Sequence, residues 1–212
     1  LSPNSFVIFP YKKVNGKVDV ILEPELRKNF PLTHSYFKYY EKEIKTRDVS
    51  PPINNDDWFK FGRSQHLDSW VADEKIVVGV LSTGEKYPID KRKTIVSSGG
   101  TAGYCIIAIP DNFAYSIYYI QAILNSKYLE WFSALYGEVF RGGYIARGTK
   151  VLKNLPIRKI DFSDTKQKAL HDKIVETQKE LISIYDQIDA NAGNKRALIP
   201  LQGQFVREKA NL

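Results

Sequence analysis

Apolar residues in the first half of the chain occur in short runs that predict β-strands joined by tight turns. The first two runs are Phe6–Phe9 and Val18–Leu22, and Asn15-Gly16 between them is a strong hairpin signal. Later runs rich in β-branched and aromatic residues predict four more strands. These strands are expected at Trp58–Phe61, Lys75–Val80, Thr94–Val96 and Tyr104–Ile109.

Helical periodicity dominates the second half of the chain. Ser116–Ser126 and Tyr128–Tyr136 are expected to form a pair of core helices. The longest helix is expected at Ser163–Asp189, with Ser163 as its N-cap. Its apolar positions form a narrow stripe of the coiled-coil type. The stripe consists of Leu170, Ile174, Leu181, Ile184 and Ile188.

These elements predict a mixed α/β (α+β) fold with a twisted, mostly antiparallel sheet, packed helices and a long spacer-like helix at the end. Helical segments are also expected after Glu23-Pro24 and at Thr33–Arg47. The predicted organisation is one domain over residues 1–162, the long packing helix over 163–192 and a tail over 193–212. No clear pattern marks the last 18 residues.

Length and charge refine this interpretation. The 212 residues suit one large domain or one domain with an appendage. A net charge of +7 favours a polyanionic partner. The charge is uneven, because residues 1–162 carry a net +6 whereas residues 163–192 carry a net −2. The long helix is therefore expected to pack against protein and not to grip a phosphate backbone.

The sequence lacks the residues that several functional classes require. Cys105 is the single cysteine, so no disulfide framework is expected, and the isolated histidines argue against a metal site. No cofactor or metal is therefore expected in the chain. The only Pro-Pro pair, Pro51-Pro52, follows Ser50 and does not match the motif of amino-methylating enzymes. The acids near Lys75 have the wrong spacing for a magnesium nuclease.

Two further absences shape the expectation about the parent protein. Methionine does not occur at any position, and the first residues lack the zones of a signal peptide. We therefore expect a domain excised from a longer polypeptide. No run of about 18 uncharged apolar residues is present, so no transmembrane helix and no membrane partner are expected.

The best candidate for ligand chemistry is a basic, glycine-punctuated stretch. Residues 141–160 contain six basic side chains and no acidic one. Arginine binds guanine edges or phosphates, tyrosine can stack, and glycine lets the backbone come close. A solvated basic loop explains the composition equally well. The glycine-rich segment Gly99–Gly103 could approach a phosphate or form a tight turn between strands.

An ordered series of short motifs resembles the TaqI-like C-terminal specificity domain. The resemblance spans about residues 57–160, and its strongest elements are aromatic-Gly-Arg, Leu-Asn-Ser and Leu-Pro-Ile. The series consists of Trp58–Gln65, Lys75–Val80, Ser98–Gly100, Tyr118–Lys127, Gly143–Arg147 and Lys153–Ile157. Gly79 departs from the pattern, because proline is expected there in many relatives.

This resemblance implies the target-recognition domain of an adenine-N6 DNA methyltransferase or of a fused type II restriction-modification enzyme, in the bacterial cytoplasm. It implies loops laid into the major groove of double-stranded DNA, with S-adenosylmethionine bound by a separate domain. The chain alone is then not an enzyme, and residues 163–192 resemble a spacer helix that docks on the methyltransferase domain or another subunit.

On this interpretation the expected DNA contacts lie in two groups. Arg63 and Gln65 follow the aromatic strand, and the basic stretch adds further contacts. Arg63 could instead be buried or bridge to an acid, and Tyr144 could belong to the core. The contacts expected from the basic stretch are Arg141, Tyr144, Arg147 and Lys150.

Two alternatives stay open at this point. The stripe between Leu170 and Ile188 could make the chain an assembly or protein-interaction subunit, as in type I specificity subunits, with an incidental basic surface. An intact nuclease would require magnesium-dependent cleavage by the chain itself, which the missing carboxylate pattern argues against.

Overall fold

A computed structural model gives the fold, and it describes residues 5–15, 17–63, 67–83, 87–96, 103–110 and 112–212. Helices and small antiparallel sheets alternate, which confirms the predicted mixed α+β class. The chain divides into two compact units. The first comprises residues 1–73 and 92–96, and the second comprises residues 74–91 and 97–212. None of the helices in the described ranges is both long enough and apolar enough to cross a membrane.

The first unit combines a β-hairpin with short helices around an aromatic core. The central cluster of this core consists of the buried residues Ile21, Leu26, Phe37, Trp58 and Phe59. The rings of Phe37 and Phe59 stack with their centroids 5.1 Å apart. The elements of this unit are β1 (Tyr11–Val14), β2 (Lys17–Val20), α1 (Glu23–Asn29), α2 (Pro31–Tyr39), α3 (Glu41–Lys45) and α4 (Leu67–Trp70).

The N-terminal hairpin confirms the predicted turn but shifts its strands. Val14 pairs with Lys17 and Tyr11 pairs with Val20. Asn15 adopts the left-handed conformation, with φ of 50°, as such turns require. Because a two-residue turn fixes the register of the residues beside it, strand pairing starts directly at the turn. The strand predicted at Phe6–Phe9 is therefore wrong, and this segment is irregular.

The strand predicted at Trp58–Phe61 is also wrong, since residues 55–59 form turns. Local hydrogen bonds explain the difference. The Asp57 carboxylate accepts from the Asn54 backbone amide at 2.6 Å and from Lys60 Nζ at 2.7 Å. Short polar side chains that bond to nearby backbone favour turns over sheet. Trp58 is consequently buried among helices and not in a sheet.

The second unit contains two three-stranded antiparallel sheets and the long helices. The elements are β3 (Lys75–Gly79), β4 (Leu81–Ser82), β5 (Ile89–Asp90), β6 (Tyr104–Ala108), α5 (Ile117–Leu124), α6 (Lys127–Tyr136), β7 (Val139–Phe140), β8 (Tyr144–Ala146), α7 (Thr149–Leu152), α8 (Thr165–Ala190) and α9 (Lys195–Asn211). In one sheet β3 lies between β5 and β6, and in the other β8 lies between β4 and β7. The core of this unit is formed mainly by β3 and α5, and the long helix α8 adds the buried Val175.

The helix predictions hold with three corrections. The core pair and the long helix are confirmed as α5, α6 and α8. The helix expected at Thr33–Arg47 is split at Tyr40 into α2 and α3. The N-cap of α8 is Asp164 and not Ser163, because the Asp164 carboxylate accepts from the backbone amides of the first turn. The tail, for which no clear pattern was predicted, forms the helix α9.

One more strand prediction is wrong. The segment at Thr94–Val96 is irregular and not a strand.

The long helix α8 is covered within the chain. It packs against α5 and α9. Leu181 and Ile184 of the predicted stripe are buried, whereas Leu170 remains 46% exposed. A chain of buried hydrogen bonds fixes the contact with α5, since Gln178 donates to Gln121 at 3.0 Å and Gln121 donates to the Tyr87 carbonyl at 2.9 Å. Most of the stripe is therefore used for folding.

Candidate nucleic-acid interface

The basic stretch forms an exposed β-hairpin in the second unit. Strands β7 and β8 are antiparallel, with Phe140 opposite Tyr144. The turn between them contains Gly142 and Gly143, whose φ angles are 86° and 78°. Only glycine adopts these angles readily. The two glycines therefore account for the tight turn that presents Arg141 to solvent.

The tip of this hairpin carries the residue types that bind nucleic acids. Arg141 is exposed, and Tyr144 and Phe140 expose 43% and 37% of their surface. Tyr144 is therefore a partly exposed strand residue and does not belong to the buried core. Of the six basic residues in 141–160, five are exposed: Arg141, Lys150, Lys153, Arg158 and Lys159. They form an uninterrupted positive segment because this range contains no acid.

Arg147 occupies a different environment from the other predicted contacts. It follows β8 directly and is only 1% exposed. Its Nη1 donates to the carbonyl oxygen of Ser82 at 3.0 Å and to the Ser82 hydroxyl at 2.5 Å. Its backbone amide donates to the Val80 carbonyl at 2.6 Å. These contacts hold β4 against β8, so Arg147 supports the hairpin from inside the unit.

The guanidinium of Arg147 is incompletely satisfied. Its Nε and Nη2 are buried and have no hydrogen-bond partner among the residues that the structure describes, and the same holds for the Ser133 hydroxyl on α6. An unpartnered buried donor costs about 1–3 kcal/mol, and more when it is charged. The side chains behind the hairpin are therefore not optimised for stability alone. Sequence reasoning did not identify Ser82 as the Arg147 partner, because no local motif links positions 65 residues apart.

A close contact at Gly137 fixes the hairpin relative to α6. A Cβ atom at this position would lie 2.7 Å from the carbonyl oxygens of Ser133 and Ala146, and from a methyl carbon of Ile145. The end of α6 therefore touches β8 through bare backbone. Helix α7 follows the hairpin, with Val151 buried and Lys150 exposed.

The remaining predicted contacts lie in the first unit or outside the described residues. Arg63 forms an isolated parallel bridge with Ser50, and its Nη2 lies 2.6 Å from Asp48 Oδ2. Both side chains are largely exposed, so the ion pair is weak and the guanidinium can exchange partners. Gln65 and most of the segment Gly99–Gly103 lie outside the described residues. Arg141, Tyr144, Arg147 and Lys150 thus lie in one unit, on the β7–β8 hairpin and the segment that follows it, whereas Arg63 belongs to the other unit.

Glu23 in the first unit has a strongly lowered pKa. Burial tends to raise the pKa of Glu23, but hydrogen bonds from His34, Trp58 and Lys38 outweigh it and lower the pKa from 4.5 to about 2. The Trp58 indole donates at 2.8 Å, and Lys38 lies at 3.0 Å. Because these three partners all bind the ionised carboxylate, we assign Glu23 and its partners a structural role. Within the described ranges, no three metal-ligating side chains cluster together.

These features define an α+β domain that presents a basic, aromatic hairpin from a rigid support. The sequence model of the TaqI-like C-terminal specificity domain matches residues 24–157, which is more than half of the chain. The chain therefore belongs to the TaqI-like C-terminal specificity domain family. This result confirms the resemblance inferred from the motifs.

A curated relative agrees with this assignment. The chain is 46% identical, over 215 aligned residues, to the Escherichia coli protein described as type II restriction enzyme and methyltransferase RM.Eco57I. The alignment covers 100% of this chain but 21% of the relative. The chain thus spans about one fifth of the length of that protein.

Proposed function

We propose that the chain is the part of a restriction-modification enzyme that recognises a specific sequence in double-stranded DNA. The observation that carries the proposal is the exposed hairpin with Arg141 and Tyr144 in a member of a specificity-domain family. A two-stranded β-ribbon fits the major groove, and arginine there binds the O6 and N7 atoms of guanine. The hairpin therefore enters the major groove of its target.

The predicted contacts take separate roles in this proposal. Arg141 binds a base edge or phosphate at the hairpin tip, and Tyr144 packs against the sugar or base beside it. Lys150 neutralises a phosphate. Arg147 is buried and acts from behind by holding β4 to β8. Arg63 and Gln65 remain proposed DNA contacts of the first unit.

Catalysis is assigned to a part of the parent enzyme outside this chain. The relative is described as both a restriction enzyme and a methyltransferase, and the chain matches one fifth of it. We infer that the parent methylates adenine at N6 with S-adenosylmethionine bound elsewhere, carries a nuclease activity and works in the cytoplasm. The glycines that the structure describes in the basic stretch do not form a site for that cofactor. Gly142 and Gly143 lie in an exposed turn, and apart from its chain neighbours no described atom lies within 4 Å of a Cβ placed at Gly143.

The rival role, an assembly subunit that docks through α8, has less support. Leu181 and Ile184 of the stripe are buried within the chain by its own helices. A partner that used α8, whether the methyltransferase domain or another subunit, would have to bind its exposed side. Domain boundaries at residues 162 and 192 remain part of this proposal.

The test is selection of bound duplexes from a randomised library, followed by measurement of affinity by fluorescence anisotropy. We expect a selected consensus sequence. Arg141→Ala should weaken binding to it by about 10- to 100-fold, as for loss of one bidentate base contact. Lys173→Ala is the matched control, because Lys173 is an exposed cation on α8. Absence of any consensus, or equal losses for both variants, would refute the proposal.

A further inference from the structure

The first unit contains an open cleft beside its β-hairpin. Its volume is about 340 Å³. We call it the lysine cleft, after the three cations that line it. The residues that matter for its chemistry are Phe9, Tyr11, Lys12, Lys13, Asp73 and Lys93.

One wall of the lysine cleft is aromatic and firmly held. The Phe9 and Tyr11 rings contact each other with their centroids 5.0 Å apart. Tyr11 is buried, and its hydroxyl accepts a hydrogen bond from the Phe61 backbone amide at 2.7 Å. Strand β1 therefore holds Lys12 and Lys13 at fixed backbone positions on this wall. This strand precedes residue 24, where the family match begins.

The charges in the lysine cleft leave one cation in excess. Lys12 bonds to Glu25, and Lys93 Nζ lies 2.8 Å from Asp73 Oδ1. Lys13 makes no ion pair or hydrogen bond within the described ranges and acts on Asp73 only through space. Three lysines against Asp73, which lines the cleft, and Glu25, which pairs with Lys12 but is not part of the lining, leave a net charge of +1. That charge complements a single phosphodiester.

Lys93 is held in an unusual conformation at the edge of the lysine cleft. Its φ angle is 54°, in the left-handed region that residues other than glycine, asparagine and aspartate seldom adopt. Such outliers concentrate at functional sites, where the surrounding structure maintains them. The ammonium group has three donors, so Lys93 can keep Asp73 and still bind an anion.

We propose that the lysine cleft binds one phosphate of the DNA backbone, with Lys13 and Lys93 as its cationic ligands. This inference rests on the proposed function, and it gives the N-terminal hairpin a role in DNA binding. The contact fixes the position of the domain on the duplex and carries no sequence information. The shared chemistry is a phosphate group, so a free nucleotide is the other possible source.

The test is the salt dependence of duplex binding by the full chain. The slope of log affinity against log salt concentration is negative, and each phosphate contact adds about 0.9 to its magnitude. Lys13→Gln should therefore reduce the slope by about 1 and weaken binding by about five- to tenfold at 0.1 M salt. Lys42→Gln is the matched control, since Lys42 is exposed on α3 of the same unit and the substitution removes the same charge. It should leave the slope unchanged.

The outcomes separate this inference from the proposed function. A wild-type chain that binds no duplex refutes the proposed function itself. Only the proposal for the lysine cleft is overturned if the wild type binds DNA and Lys13→Gln leaves the slope unchanged. The same holds if Lys13→Gln and Lys42→Gln change the slope equally. Calorimetric titration with ATP tests the other source. ATP binding that is lost in Lys13→Gln, without a change in the DNA slope, would assign the lysine cleft to free nucleotides.

Discussion

Replacing Gly137 with alanine tests whether the hairpin is held by backbone contact with α6. The φ of −83° and ψ of 151° at Gly137 suit alanine, so the substitution adds no conformational strain. The added Cβ would instead lie 2.7 Å from three atoms, about 0.7 Å inside the ordinary contact limit of 3.4 Å. Two of these atoms are backbone oxygens, which cannot rotate away. Any effect of the substitution therefore comes from crowding.

The expected cost follows from that geometry. Overpacking a well-packed site costs about 1–3 kcal/mol, occasionally more. Since rigid backbone must move, we expect Gly137→Ala to destabilise the second unit by about 3 kcal/mol. This corresponds to a loss of about 6–12 °C in melting temperature for a domain of this size. DNA affinity should fall as well, because Arg141 lies on the hairpin that is displaced.

Alanine substitutions at two other glycines distinguish the effect of crowding from the effect of backbone conformation. Gly193 has open space at its Cβ position and no positive φ, so Gly193→Ala should be neutral or stabilise by up to about 1 kcal/mol. Gly143 also has open space but a φ of 78°, so Gly143→Ala should cost about 1–2 kcal/mol. Thermal unfolding followed by circular dichroism and calorimetry gives all three values. A Gly137→Ala protein within about 0.5 kcal/mol of wild type would refute the close-contact argument.

Two further substitutions test the cores of the two units. The folded pKa of Glu23 lies below its ordinary value, so its contribution is present above pH 4.5 and is lost as the pH falls toward about 2. Glu23→Gln should therefore lose about 1–2 kcal/mol near pH 7, after allowance for solvent screening, and the difference in urea unfolding should vanish near pH 2. An equal difference at both pH values would contradict this account. Leu181→Ala should cost about 2–5 kcal/mol, whereas Leu170→Ala, at an exposed position, should cost under about 1 kcal/mol. Equal losses would show that α8 is not covered as described.

Sequence patterns predicted the elements that bury long apolar segments. The sequence predicts strand β3 from a continuous β-branched run, and helices α5, α6 and α8 from apolar residues at helical spacing. The errors fall where a few polar contacts decide the backbone. Asn54 and Asp57 turn the chain just before the aromatic run at Trp58, which composition alone predicts to be a strand.

The candidate nucleic-acid interface could be predicted only in part, for a similar reason. The basic stretch and its glycines indicate an exposed loop, and the exposure of Arg141 and Lys150 agrees with that expectation. The burial of Arg147 could not be foreseen, because it depends on strand β4, which lies far away in sequence. Lys13 was not identified either, since Asp73 and Lys93 join it only through the tertiary fold.

The arrangement around the hairpin separates an exposed tip from a fixed support. Arg141 and Tyr144 are exposed, so substitutions at these positions leave the buried core in place. The support uses backbone groups: Gly137 approaches β8 closely, and Arg147 binds the Ser82 carbonyl. Contacts to backbone do not depend on the side chains at the tip. The same support can therefore present different tip sequences, and the function that we propose for the hairpin requires a support of this kind.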